Sequence, residues 1–186
     1  MCSSDLFFKH FDKPIERFVE PTAQLRTSYQ NAKSARNFGF ELEARREVVE
    51  HLILSGNYTF VDSNITLEPG QTNVLTTLDR PLAGTSQNIF NGSAEVDYTS
   101  FSARLLFNYF GDRIADVGSL GLPDIYEQGR LTLDLVGTIR FGRHVNLRLA
   151  GENLTDERVL YLQGGLDQRA YTMGRVFTVQ FGYSGF

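Results

Sequence analysis

Side chains of opposite character alternate one by one along seven stretches of this 186-residue chain, and that period of two restricts the fold more than any other feature. Over residues 131–141 one set reads Leu131, Leu133, Leu135, Gly137, Ile139, Phe141, and the other reads Thr132, Asp134, Val136, Thr138, Arg140. Successive side chains of a strand point to opposite faces, so the stretch predicts a strand with one oily and one wet side. The same reading predicts strands over 38–45, 52–60, 90–98, 101–109, 145–150 and 177–183, with an eighth, less regular one around residues 7–11. No oily position carries a charge. The wet positions carry Glu41, Glu43, Arg45, Glu95, Asp97, Arg104, Asp134, Arg140 and Arg148.

The links between these stretches alternate as well. Short ones follow Arg46, Tyr98 and Phe141, and long ones run through 62–87, 111–129 and 153–173. That order implies antiparallel hairpins with every tight turn at one end and every long loop at the other. Two architectures suit a one-sided strand. A sandwich turns the oily side inward; a membrane barrel turns it toward lipid and encloses water with the wet side. Three features favour the barrel. The longer alternating stretches run to about 9–11 residues, the length a tilted strand needs to cross a bilayer. Short turns on one side and long loops on the other match barrel asymmetry. Rings gather near the strand ends on the oily side: Tyr98, Phe101, Phe141 and Tyr183 toward the short turns, and Phe38, Phe60, Phe90 and Tyr109 toward the long loops. Amphipathic rings settle at interface depth, so two such belts fit a bilayer.

Composition narrows the remaining classes. Lys plus Arg (18) falls below Asp plus Glu (22), so a basic nucleic-acid binder is not expected. One Cys excludes an internal disulfide framework or a Cys-based metal site. No apolar run approaches the ~18 residues of a spanning helix. With 15 Phe and 8 Tyr the chain is too rich in rings for a disordered segment.

The last third then carries a resemblance. Asn153-Leu154-Thr155-Asp156 is followed by a loop and by a run from Tyr171 through Gly174-Arg175-Val176-Phe177 to a terminal Phe186. This resembles the C-terminal end of TonB-dependent outer-membrane receptors, in which an NLxD corner, a GR-x-F last strand and a final aromatic recur. Upstream, Asn37 to Glu43 resembles the family's GxExE strand, and Asn57 to Ser63 its NYTYxDS strand. Arg80 to Ser86 and Pro123 to Tyr126 sit where the family has similar loop signals. The resemblance spans residues 7–186. It implies an all-β fold: an antiparallel up-and-down meander of about eight strands, an open part of a 22-stranded barrel whose plug domain, energy-coupling box and first strands lie elsewhere. It implies no cofactor and no enzyme. The partners it implies are outer-membrane lipid, the barrel-assembly machinery, the TonB complex through an N-terminal part, and a small-molecule nutrient such as a siderophore, cobalamin or glycan. It also implies an assembly signal in the last strand, formed by Phe177, Val179, Phe181, Tyr183 and Phe186. Phe186 falls out of step with the other four, and a bulge at Gly185 would restore its facing. Residues 1–6 resemble an adapter-encoded scar rather than a signal peptide and are set aside from the barrel segment.

Reaction chemistry is sparse. His10, His51 and His144 stand apart, with no Cys or carboxylate at ligand spacing. The carboxylates Glu41 with Glu43, and Glu95 with Asp97, share a face and could serve glycoside hydrolysis. Arginines on that same face make an ion-pair ladder the plainer reading. The sequons at Asn57, Asn64, Asn91 and Asn153 read as lumen polarity where they fall on a wet strand face. Asp112, Arg113, Asp116 and Asp124 in the second long link are candidates for ligand contact or for plain solvation. A complete eight-stranded barrel and an outer-membrane hydrolase remain as rival readings. Pairing of the segment around Phe7 with that around Phe181 would mark the former.

Overall fold

The computed structural model describes residues 1–20, 26–68 and 75–184, with Phe18 and Val19 as backbone only. Fifteen strands follow in order: β1 (Cys2–Asp12), β2 (Ile15–Val19), β3 (Thr27–Asn31), β4 (Ser34–Val49), β5 (Leu52–Thr66), β6 (Asp79–Arg80), β7 (Asn88–Asp97) and β8 (Phe101–Phe110). Then come β9 (Arg113–Asp116), β10 (Ile125–Glu127), β11 (Arg130–Phe141), β12 (Val145–Glu152), β13 (Val159–Gln163), β14 (Leu166–Tyr171) and β15 (Val176–Tyr183). No helix occurs among the described residues, and the fold is all-β.

Eight long strands form one antiparallel meander in the order β1-β4-β5-β7-β8-β11-β12-β15. These are the seven alternating stretches and the eighth expected near residues 7–11. Among the described residues β1 pairs with β4 and β15 with β12, and the two do not pair with each other. The sheet is open. Tight turns join β4 to β5, β7 to β8 and β11 to β12. His51 (φ 69°) and Gly142 (φ 64°) sit in the left-handed region within two of these turns, a conformation glycine adopts freely and His more readily than most residues.

The long links are not plain connectors. Residues 62–66 extend β5, making it 15 residues long beside a 16-residue β4. The link between β1 and β4 folds into the β2–β3 hairpin. The later links build a separate four-stranded sheet, β14-β13-β10-β9.

Among the described residues no second layer covers the oily side of the meander. Leu42, Leu54, Leu105, Leu135, Ile139 and Leu149 are all exposed, and Leu135 retains 46% of its surface. The buried apolar side chains among the described residues lie elsewhere: Ala32, Ala35, Ile65, Leu67, Leu75, Ile114 and Val159, all at the long-loop end. A sandwich would bury the Leu and Phe rows, and this sheet exposes them.

The small core has a definite side. Ala35 lies directly opposite Ile65, and pairing runs unbroken from there to Glu41 opposite Thr59 and Glu43 opposite Asn57. Residues an even number apart share a face. Ala35 and Ile65 therefore belong to the wet face, which turns apolar near its long-loop end. Leu67, Leu75, Leu82 and Val117 cover it there. The loops fold inward over the wet face and leave the oily face bare.

Candidate functional site: the polar wall and the loop cluster

The charged positions predicted for the wet face do lie on one face, and some of them meet. Glu95 and Arg104 are cross-strand neighbours, 2.5 Å apart. Arg140 reaches Asp97 at 3.0 Å, donates to the carbonyl of Tyr98 at 2.7 Å and donates to Ser102 at 3.2 Å. Exposed pairs of this kind contribute about 0–1 kcal/mol each; they set spacing more than stability. Among the described residues Glu41, Glu43, Arg45 and Arg148 have no ion-pair partner. Between the pairs runs an uncharged ladder. Asn57 accepts from Asn91 at 2.8 Å, and Asn108 is next in register. Ser55 and Ser93 lie 2.6 Å apart in the row below. The sequon asparagines Asn57 and Asn91 thus serve as wall polarity.

Asp134 shares the face, but its Oδ1 accepts the N–H of Asn153 at 2.7 Å. This contact belongs to a clasp that explains the corner motif. Asn153 (φ 55°) and Asp156 (φ 47°) both adopt the left-handed conformation that Asn and Asp tolerate. The Asn153 amide donates to the carbonyl of Gly174 at 2.7 Å, while Asp156 accepts the Gly174 N–H at 3.0 Å. Arg175 donates to the carbonyl of Leu154 at 2.9 Å. The corner leaving β12 therefore grips the residues entering β15. Asp156→Ala strands a part-buried N–H and is expected to destabilise this junction by about 1–3 kcal/mol. The check is faster amide hydrogen exchange at residues 174–178, with β7–β8 unchanged.

The four described members of the predicted assembly signal form one row on β15. Phe177, Val179, Phe181 and Tyr183 are exposed on the oily face, beside the free edge of the sheet. Gly185 and Phe186 lie outside the described residues. The ring belt at the short-turn end is present: Tyr98 stacks on Phe101 at 4.9 Å and His51 lies 4.4 Å from Tyr98.

Sequence reasoning did not anticipate the ionic framework of the loops. Arg80 on β6 pairs with Glu16 on β2; both are buried, with side-chain exposures of 1% and 9%. Arg80 Nε has no hydrogen-bond partner among the described residues. Arg17 pairs with Asp116, joining the β2–β3 hairpin to β9. Arg113 grips Glu127 through Nε at 2.8 Å and Nη2 at 2.7 Å. Asp124 accepts the Gly118 N–H at 2.7 Å, and Asp112 the Gly129 N–H at 2.6 Å. All four loop residues singled out in the sequence are thus engaged in holding loops together. A charged row crosses the outer sheet in register, Arg113, Glu127, Tyr161, Arg169. Arg169 stacks on Tyr161 at 4.0 Å. Burial, then a hydrogen bond with Tyr171, raise the Tyr161 phenol above the ordinary tyrosine value; Glu127 adds to this and Arg169 opposes it. Among the described residues no cluster of three or more His, Cys, Asp or Glu is placed to hold a metal.

A one-sided antiparallel meander, bare and oily on one face, polar on the other, and capped by inward-folded loops at one end, is a segment of β-barrel wall. A family profile described as "TonB dependent receptor-like, beta-barrel" matches residues 3–154. The chain belongs to that family of TonB-dependent receptors. Solved structures agree in fold. The siderophore receptor PiuA from Acinetobacter baumannii superposes with TM-score 0.67 at 15% identity, covering 98% of this chain and 26% of that one. The copper transporter OprC gives 0.68 at 18%, covering 98% and 28%. The FrpB iron transporter from Neisseria meningitidis gives 0.66 at 12%, with the same coverage of 98% and 28%. This chain therefore spans roughly a quarter of the length of these proteins. A comparison with curated proteins gives no match.

Proposed function

We propose that this chain is the C-terminal part of the barrel of an outer-membrane receptor in a Gram-negative bacterium, which takes up a scarce nutrient with energy relayed by TonB. The nutrient is a small molecule such as a siderophore, cobalamin or glycan. The chain supplies wall and mouth rather than a reaction centre. Its oily face meets lipid, its wet face lines the lumen, the short turns face the periplasm and the loop cluster faces the outside. The TonB complex acts through an N-terminal part of the receptor, and the barrel-assembly machinery reads the β15 row ending at Phe186. The barrel segment is read as residues 7–186 and residues 1–6 as a non-native extension, even though Cys2 to Leu6 continue β1 in register with Ala44 to Phe40.

The bare Leu and Phe face carries this reading. An apolar surface of that extent is costly in water and at home in lipid. The free edges of β1 and β15 speak against a complete eight-stranded barrel, because unpaired backbone groups cannot be left in a bilayer. The test is uptake by the intact receptor in a host with and without the TonB energy-coupling protein. Uptake is expected to vanish without it while surface binding of the nutrient persists. Undiminished uptake would refute the proposal.

A further inference from the structure

The loop cluster encloses a cleft of about 630 Å³, walled by β2, by residues 82–84 and by the run from Ala115 to Ile125. That volume lies in the range of small-molecule sites. The charged side chains on its lining are Glu16, Arg17 and Asp116. Glu16 is taken by Arg80, and Arg17 by Asp116. The cleft thus presents no uncompensated charge among the described residues. Its greasy patches are aliphatic, from Ile15, Leu75, Leu82, Val117, Leu122 and Ile125, and no aromatic ring is among the described residues that line it. Ser119, Gln163 and exposed backbone supply a neutral polar edge.

We propose that this cleft receives an uncharged ligand with an aliphatic face and amide or hydroxyl groups, and discriminates against anions. The proposal rests on the loop cluster being the receptor's mouth. An anion entering here meets no free cation among the described residues. It must either displace Asp116 from Arg17 or lie uncompensated near Glu16 and Asp116, and both are unfavourable. A neutral amide loses little water and can pack on the aliphatic wall.

Two probes of matched shape isolate charge: N-acetyl-leucyl-leucinamide and N-acetyl-leucyl-leucine, the latter a carboxylate at neutral pH. Binding of each to the intact receptor in detergent is measured by calorimetry. The amide is expected to bind about tenfold tighter or more, the counterpart of about 1.4 kcal/mol. Asp116→Asn frees the Arg17 cation and should bring the ratio to one or below. The proposal is overturned by carboxylate binding as tight as amide binding, by absence of saturable amide binding, or by a ratio indifferent to Asp116→Asn. None of these readouts depends on energy coupling. A receptor that keeps the ratio but takes nothing up would refute the importer reading and leave the ligand class standing.

Discussion

Arginine at Leu135 is expected to destabilise the membrane-inserted receptor by about 2–4 kcal/mol, the range for a cation on the lipid face near the bilayer centre. Leu135 lies midway along β11, directly opposite Leu105 on the bare face. Arginine at Thr59 is expected to change stability by no more than about 0.5 kcal/mol. Thr59 is on the wet face, in register with Glu41, which has no ion-pair partner among the described residues and can accept the new cation. Reversible unfolding of the intact receptor in lipid vesicles measures both. The contrast matters more than either value: if the oily face met a protein layer, and the wet face bulk solvent, the penalty at Leu135 would not vary with bilayer thickness. In lipid, a thinner bilayer brings that position nearer water and should shrink it. Equal effects at the two positions would overturn the proposed facing.

Glu16→Gln is expected to loosen the loop cluster by about 3–5 kcal/mol, because it leaves the buried Arg80 guanidinium without its carboxylate. The damage should stay local. Amide exchange should accelerate in β2, β3 and β6, while β7, β8 and β11 keep their protection. Replacing both partners, as Glu16→Leu with Arg80→Met, should recover most of the loss, since a matched apolar pair removes the stranded charge. Failure of that double variant would mean the pair fixes geometry that packing alone does not restore.

The long strands of the meander were legible because a one-sided strand needs its alternation throughout, and each row from Phe38 to Tyr183 reports its own facing. The open meander was legible from the alternating link lengths. The loop cluster was not. Its strands are short, β9 with 4 residues and β10 with 3, and too few alternations fit in them to rise above chance. Isolated apolar residues such as Ile114 and Val159 gave no sign of the core they enter. The ionic framework was hidden for a different reason. Arg80 and Glu16 are separated by 64 positions, and nothing local to either identifies its partner. The candidate site was legible to the extent that it is wall. The cross-strand pairs Glu95 with Arg104 and Asp97 with Arg140 follow from facing plus register, whereas the neutral cleft depends on contacts between excursions that only the folded chain brings together.

The apolar patch at the top of the wet face also bears on how β4 and β5 find their alignment. A slip of one position exchanges every inside and outside residue and is rejected at once. A slip of two preserves all the facings and would pass that check. It would, however, slide Ile65 away from Ala35, bringing Ser63 opposite Ala35 or Asn37 opposite Ile65, and so break up the apolar pair beneath the roof. The dry lid thus acts as a vernier for the pair, distinguishing alignments that alternation alone treats as equivalent.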